Sequence, residues 1–561
     1  MRNISDSKGG KKFISGVLVL SLSTFIVKVI GLAYKIPMMS LLGAEGMGYF
    51  NSAYEIYALL CVISTAGLPV ALSMLIASCT ERGDELGGRK VYRTAMAVFA
   101  VLGMAGFIAM FGFAEDISLA IENPDAYFCI MAISPALLCV CVASAVRGYF
   151  QGLCKMTPTA ISQMIEAVCK LALGVVFAVW AIDAGYSIPQ VAAFAILGLS
   201  VGTLISAVYL LILKFFYEKR NKGQRGTLLN ESSTKEGILP TLFKIAIPIT
   251  LSSAVLGITR IVDMALIMKR LQDIGYTTSG ANEVYGSYTT LAVPVFSLIP
   301  SLITPVALAL VPRLSAAIER RSSEGQSAIA SSSMRITVFF AMPSSFGIAV
   351  YSRCILRMLF PNEAQAVSVA SPLLSLLGIS ILFSCIITTS NAILQSYRQA
   401  TKPIISMAIG ALVKVISAYA LIGIPSLGVY GAPISTLLCN VTITAINIYY
   451  INKYVPRTES VANLYLRPFG ASVSMMIVSY AVYIGVFNLI QNSSIAFLGA
   501  LAAALCAYFV FALVFGAVGE EDILMLPAGE KILNLIKKTG FWHADKKELA
   551  KRSCIKERNK K

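Results

Sequence analysis

Apolar runs of eighteen or more residues recur along almost the whole chain, and nothing else in the sequence limits the possible folds as strongly. A run of that length crosses a bilayer as one helix, and a helix satisfies its own backbone groups where no water is present. A membrane β-barrel would instead show segments of about ten residues with alternating polarity, and none occur. Charged residues make up only 13% of the chain against 57% hydrophobic, about half the charged share of a soluble domain. The expected fold class is an all-α polytopic membrane protein with about fourteen transmembrane helices. They fall near 13–36, 47–79, 94–114, 125–146, 158–183, 189–213, 241–267, 285–311, 334–351, 368–390, 403–424, 431–451, 468–490 and 495–516.

The net charge of +17 reports topology. Of the 46 Lys and Arg, 37 fall on one side of this span map, namely the N-terminus, alternate loops with the adjoining span ends at Lys244 and Arg335, and the C-terminal tail. Four fall on the other side (Lys269, Arg270, Arg353, Arg357) and five lie within or at the ends of spans. The positive-inside rule then puts both termini in the cytoplasm, with the excess attracted to anionic membrane lipids and no nucleic acid partner. The first apolar run is too long for a signal-peptide core and reads as a retained span. Most of the twelve Cys lie in spans without C-x-x-C spacing, and the single His, His543, is in the tail. This leaves no catalytic constellation, metal site or cofactor motif, and the chain is not expected to be an enzyme.

Two halves of six spans align. Pro69-Val70-Ala71-Leu72-Ser73 matches Pro305-Val306-Ala307-Leu308-Ala309 at an offset of 236. Gln151, Thr157, Ile161, Ser162, Ala167 and Lys170 match Gln395, Thr401, Ile405, Ser406, Ala411 and Lys414 at a constant 244, and Ser21 and Lys28 match Ser253 and Arg260 at 232. Each half has an even number of spans, so the repeats are parallel. The expected organisation is two parallel six-helix lobes plus two extra C-terminal helices. Their limits are 1–215 for the N-terminal lobe, 216–240 for a cytoplasmic loop, 241–452 for the C-terminal lobe, 453–516 for the last two spans and 517–561 for a basic amphipathic cytoplasmic tail.

The segments Leu42-Gly43-Ala44-Glu45-Gly46-Met47-Gly48-Tyr49, Ala53-Tyr54-Glu55-Ile56-Tyr57-Ala58-Leu59-Leu60 and Ser64-Thr65-Ala66-Gly67-Leu68-Pro69-Val70-Ala71 resemble the multidrug/oligosaccharidyl-lipid/polysaccharide exporter superfamily. They are most similar to its polysaccharide-biosynthesis branch, which holds lipid II flippases and stage V sporulation protein B-like proteins. The turn Arg147-Gly148-Tyr149-Phe150-Gln151-Gly152, with Lys155 and Pro158, is similar to that branch as well. The resemblance covers essentially the whole membrane region. It implies a fourteen-helix, two-lobed transporter of the bacterial cytoplasmic membrane that moves an undecaprenyl-pyrophosphate-linked sugar, such as lipid II, from the inner to the outer leaflet. Family flippases line their cavity with basic residues from the first helices and from the start of the second lobe. Lys28 and Arg260 match that pattern, whereas span 2 departs from it and carries Glu55.

The residues point the same way. Lys28, Lys35, Lys170, Arg260 and Lys414 lie inside apolar stretches, where each charge costs roughly 2.5–3.5 kcal/mol at a helix centre. Such cations suit an anionic cargo, with Arg giving bidentate phosphate contacts and Lys a mobile point charge. The candidate substrate-binding set is Lys28, Arg260, Lys35, Glu55 and Asp263, with Lys28 and Arg260 gripping pyrophosphate and Lys35 reaching the outer interface. The structural alternative pairs Arg260 with Asp263 and Lys28 with Glu55. Glu166, Lys170 and Lys414 form a second set, for coupling or inter-lobe ion pairs. Glu166 and Lys170 have i,i+4 spacing, and Lys414 has the option of pairing with Glu166 across the lobes.

The energy source is membrane potential, worth ~2.3 kcal/mol per charge per 100 mV, or a coupling ion (Na+ or H+) at Glu55, Glu166 or Asp263. Pro294, Pro300 and Pro305 are expected to kink span 8. Cell-envelope synthesis machinery is a possible partner. Two other functions compete: a cation-coupled multidrug exporter of the same superfamily, and a scaffold in an envelope complex.

Overall fold

The computed structural model describes residues 8–221, 237–456 and 462–516. The proposed tail 517–561 and most of the loop 216–240 lie outside the described residues. Sixteen α-helices follow one another, and no strand occurs among the described residues. They are α1 Lys8–Thr65, α2 Leu68–Glu81, α3 Glu85–Gly112, α4 Ala114–Ala120, α5 Tyr127–Gly152, α6 Thr157–Asp183, α7 Ile188–Asn221 and α8 Ile238–Asp273. The chain continues through α9 Thr278–Ser287, α10 Val293–Glu319, α11 Ser323–Leu359, α12 Ala364–Ser396, α13 Thr401–Ile422, α14 Gly431–Tyr454, α15 Arg467–Ile490 and α16 Ser493–Val514.

Twelve helices among the described residues are long and apolar enough to cross a membrane, against the fourteen spans expected. The difference lies in two places. One candidate covers Ile26–Thr80 as a single unit, although α1 is broken inside it at Gly43, whose φ is +67°. This is the left-handed region that glycine enters without steric cost. The other is α8, where only Ile238–Leu251 counts as a shorter apolar stretch.

The expected repeat is visible in matching polar nodes. In the first half, Arg147 Nε donates to Ser162 Oγ at 3.0 Å and its Nη2 donates to Ser206 Oγ at 3.2 Å, tying α5 to α6 and α7. In the second half, Asn447 Nδ2 donates to Asn391 Oδ1 at 2.8 Å and Ser406 Oγ donates to Asn447 Oδ1 at 2.7 Å, tying α14 to α12 and α13. Arg147 with Asn391, and Ser162 with Ser406, stand at the same 244-residue offset read from the sequence.

Contacts sort the chain into two compact units. The first comprises the chain up to Pro294 together with Asn362–Ala370 and Lys414–Ser435. It therefore holds the whole first repeat and, from the second, α8, α9 and the ends of α12, α13 and α14 that lie toward the Gly43 end. The second comprises Val295–Pro361, Ser371–Val413 and Thr436 onward. In it, Tyr351 Oη and Ser479 Oγ share a 2.9 Å hydrogen bond and Tyr508 Oη donates to the Phe339 carbonyl at 2.7 Å. These bonds seat the two extra helices, α15 and α16, against α11. Its apolar core includes Leu314, Val338, Met342, Ile393 and Leu394.

Candidate functional site

At the Gly43 end of the first unit, side chains of the first repeat close on those of the second. Asn123 Nδ2 donates to Asn282 Oδ1 at 2.8 Å and Asn282 Nδ2 returns the bond to Asn123 Oδ1 at 2.9 Å, with both residues 0% exposed. A buried amide pair that satisfies itself this way avoids the penalty of an unpaired polar group. The backbones cross closely beside it. A Cβ on Gly48 would lie 2.5 Å from the Asn282 carbonyl oxygen, and one on Gly286 would strike the Ala44 carbonyl. Only glycine allows that approach. Gln272 Nε2 donates to the Glu122 carbonyl at 2.8 Å, and the Arg270 guanidinium lies 4.4 Å from the Tyr419 ring centroid. Together these contacts make a polar clasp.

The clasp continues into a turn of π-helix, Tyr288–Ala292. Within it the Val293 N–H bonds back to the Tyr288 carbonyl, which leaves Thr289 O without its α-helical donor. The next donor along would be residue 294, a proline without an N–H. Lys35 supplies the missing donor, its Nζ lying 2.8 Å from Thr289 O. Asn51 Nδ2 also donates to this turn, to Thr289 Oγ1 at 3.0 Å and Thr290 Oγ1 at 2.8 Å. The backbone effect expected of Pro294 thus appears as a π turn ahead of a helix that runs on through Pro300 and Pro305.

The charged residues lie next to this clasp. Arg260 Nη1 is 3.7 Å from Glu55 Oε2, with side chains 49% and 24% exposed. One turn along α8, Asp263 Oδ2 is 3.0 Å from Lys414 Nζ, and both side chains are only 14% exposed. The Glu55 carboxylate is within electrostatic reach of Arg260, Lys35, Asp263 and Lys414, and Lys35 is within reach of Lys170. Lys170 Nζ lies 5.0 Å from the Tyr34 ring centroid and 4.9 Å from that of Tyr54, at cation–π distance from both. Lys28 is exposed and has no ion-pair or hydrogen-bond partner among the described residues. Among these linked groups the cations Lys35, Lys170, Arg260 and Lys414 outnumber the acids Glu55 and Asp263, and Arg260 is the most accessible member; Lys28 lies two helical turns before Lys35 on α1.

Several expected pairings differ. Arg260 bonds Glu55 and not Asp263, because Asp263 is taken by Lys414 from α13. Lys28 does not reach Glu55. Glu166 pairs with neither Lys170 nor Lys414, since Arg147 Nη2 holds its Oε2 at 2.8 Å. The guanidinium fork serves Ser162, Ser206 and Glu166 together, a geometry an ammonium cannot match. The Lys35 ammonium is turned onto the orphaned Thr289 carbonyl. Sequence reasoning missed Asn51, Asn123 and Asn282. The one available signal was that amides are costly inside apolar stretches unless paired.

The family model for "Polysaccharide biosynthesis protein" matches residues 13–318, and the MatE model matches 284–420. Stage V sporulation protein B of Bacillus subtilis (strain 168) is 26% identical over 520 residues, covering 92% of this chain and 98% of that protein. Lipid II flippase MurJ of the same organism is 27% identical over 427 residues, covering 72% and 76%. Among solved structures, "Lipid II flippase MurJ, inward closed conformation" superposes with a TM-score of 0.68 at 15% identity, covering 89% of this chain and 98% of that one. An inward-facing multidrug resistance MATE family transporter superposes with a TM-score of 0.60 at 15% identity, covering 76% and 98%. At these identities the superpositions speak for the fold alone. With its family model spanning more than half the chain, this multi-pass membrane protein belongs to the polysaccharide biosynthesis protein family, the branch of the MOP superfamily that its span 2 segments resemble.

Proposed function

We propose that this protein is a flippase that carries a lipid-linked oligosaccharide, joined to its lipid through pyrophosphate, from the inner to the outer leaflet of the bacterial cytoplasmic membrane. The peptidoglycan precursor lipid II is the first candidate cargo and another envelope glycan the second. One observation carries the reading: Lys28, Lys35 and Lys170 have no carboxylate partner within 4 Å among the described residues, and Arg260 has only a long, half-exposed one. Unneutralised cations in a membrane span are costly, and an anionic headgroup offsets that cost. The relatives named for lipid II flipping and sporulation support the same substrate class. Alternating access follows naturally, with the clasp closing the outer side while the headgroup enters from the cytoplasm. Glu166 and Asp263 each hold a close cation already, which favours membrane potential over a coupling ion as the driving force.

Purified protein in liposomes tests this directly, using a fluorescent polyprenyl-pyrophosphate sugar and a headgroup quencher. Flipping is expected in the wild type, with a loss of at least about tenfold for Lys28→Ala combined with Arg260→Ala at equal abundance, the factor expected for one lost charge-assisted contact. Full flipping by the double variant sinks the site assignment. The MatE match over 284–420 favours one alternative, a cation-coupled multidrug exporter. Efflux of a cationic dye driven by a Na+ or proton gradient, without sugar-lipid flipping, would establish that reading instead.

A further inference from the structure

The Lys35 contact has an unusual chemistry. A membrane-embedded ammonium ordinarily finds a carboxylate or an anionic ligand. Here the hydrogen-bond acceptor of Lys35 is a neutral backbone carbonyl, Thr289 O, at 2.8 Å. That carbonyl needs a side-chain donor because Val293 N–H bonds Tyr288 O and residue 294 is proline. The two groups complete one another only while the π turn is pressed against α1. Lys35 is also within electrostatic reach of Glu55, the residue that holds Arg260.

We propose that Lys35 is a substrate-contacting latch: its ammonium closes the outer clasp on Thr289 O in the empty protein, and a pyrophosphate bound at Arg260 draws it away and releases the π turn. This rests on the reading of the site as a pyrophosphate site. The exchange is favourable because a phosphoryl oxygen is a charged acceptor and makes the stronger, charge-assisted bond. A ligand shifts a conformational equilibrium only by its differential affinity for the two states. Lys35 provides that difference, since in the closed state its ammonium is held at Thr289 O and in the open one it is free to move to the ligand. The latch also discriminates between headgroups. A pyrophosphate has two phosphoryl groups and replaces both the Glu55 contact of Arg260 and the carbonyl contact of Lys35. A monophosphate replaces only one, leaving the clasp closed. Asn51 binds the hydroxyls of the same turn, so the loosened turn stays tethered to α1 and can be recaptured.

The test uses the full chain in nanodiscs, with farnesyl pyrophosphate and farnesyl monophosphate as probes. Binding is measured by scintillation proximity, and hydrogen–deuterium exchange is followed in the peptide covering 278–292. In the wild type, pyrophosphate should accelerate exchange in this peptide by at least about tenfold, the size expected when a charge-assisted bond stops holding a segment, and monophosphate should not. Lys35→Met should exchange fast with or without ligand, and Lys35→Arg, which keeps the charged donor, should remain ligand-sensitive. If wild-type protein binds farnesyl pyrophosphate while the peptide's exchange stays unchanged or slows, the latch is wrong and the binding site stands. If Lys35→Arg is folded, binds pyrophosphate and has lost ligand sensitivity, the latch is likewise overturned. If the wild type binds neither probe, the pyrophosphate reading fails and the latch with it.

Discussion

Asp263 and Lys414 meet at 3.0 Å with little exposure, whereas Glu55 and Arg260 meet at 3.7 Å with Arg260 half exposed. The two pairs are one helical turn apart on α8, yet they suit different work. A tight buried pair is a structural tie whose partners cannot leave without stranding a charge. A long exposed pair is worth little and is easily exchanged for a ligand. Lys414→Met should therefore destabilise the protein by roughly 3–5 kcal/mol, because Asp263 is left buried and unpaired. Asp263→Leu added to Lys414→Met should recover most of that loss, and thermal unfolding in detergent reads both. Glu55→Gln, by contrast, should leave the unfolding temperature nearly unchanged and tighten pyrophosphate binding, since it frees the Arg260 guanidinium. A large drop in stability for Glu55→Gln would mean that this pair too is structural. None of these partnerships was legible in the sequence. Spacing along one helix offers Asp263 to Arg260 and Lys170 to Glu166, and Lys414 from the distant helix α13 and Arg147 from the preceding helix α5 took their places instead.

The elements on which the proposed function rests are short: the π turn Tyr288–Ala292, α9 and the stretch of α1 just after Gly43. They cross so closely that glycine is required at positions 48 and 286. Gly286→Ala should hold the crossing apart, because its methyl group meets the Ala44 carbonyl. The expected result is loss of outer closure, seen as labelling of the 278–292 region by a membrane-impermeant reagent without ligand. Asn282→Ala should act by a different route, leaving the Asn123 amide buried with fewer partners at a cost of about 1–3 kcal/mol. A Gly286→Ala protein protected as fully as the wild type would show that the crossing tolerates a side chain. Part of this was visible beforehand. Pro294 signalled an interrupted helix, but which carbonyl it would orphan, and which side chain would cap it, depended on the neighbouring helix.

For the molecule as a whole, charge predicts the orientation. With 37 of 46 basic residues on the side of the termini, a C-terminal green fluorescent protein fusion should be fluorescent, and alkaline phosphatase fused after Gly275 should be active. The reverse result would invert the map and place the clasp on the cytoplasmic side. The helical membrane class and the family were both readable from the chain alone, for a physical reason. Hydrophobic length, basic-residue bias and repeated motifs are properties of each segment, and the bilayer acts on each segment separately. The repeat even extends to the polar nodes around Arg147 and Asn391, at the offset already present in the sequence. The choice of partner for each buried charge and amide is of another kind. A cation within an apolar run must find an acceptor, but many acceptors satisfy that need equally well, and the acceptor within reach is fixed only when separate helices, near or distant in the chain, pack together. Folding thus gave Lys414 to Asp263, Arg147 to Glu166 and Lys35 to a carbonyl that a proline had left without a donor.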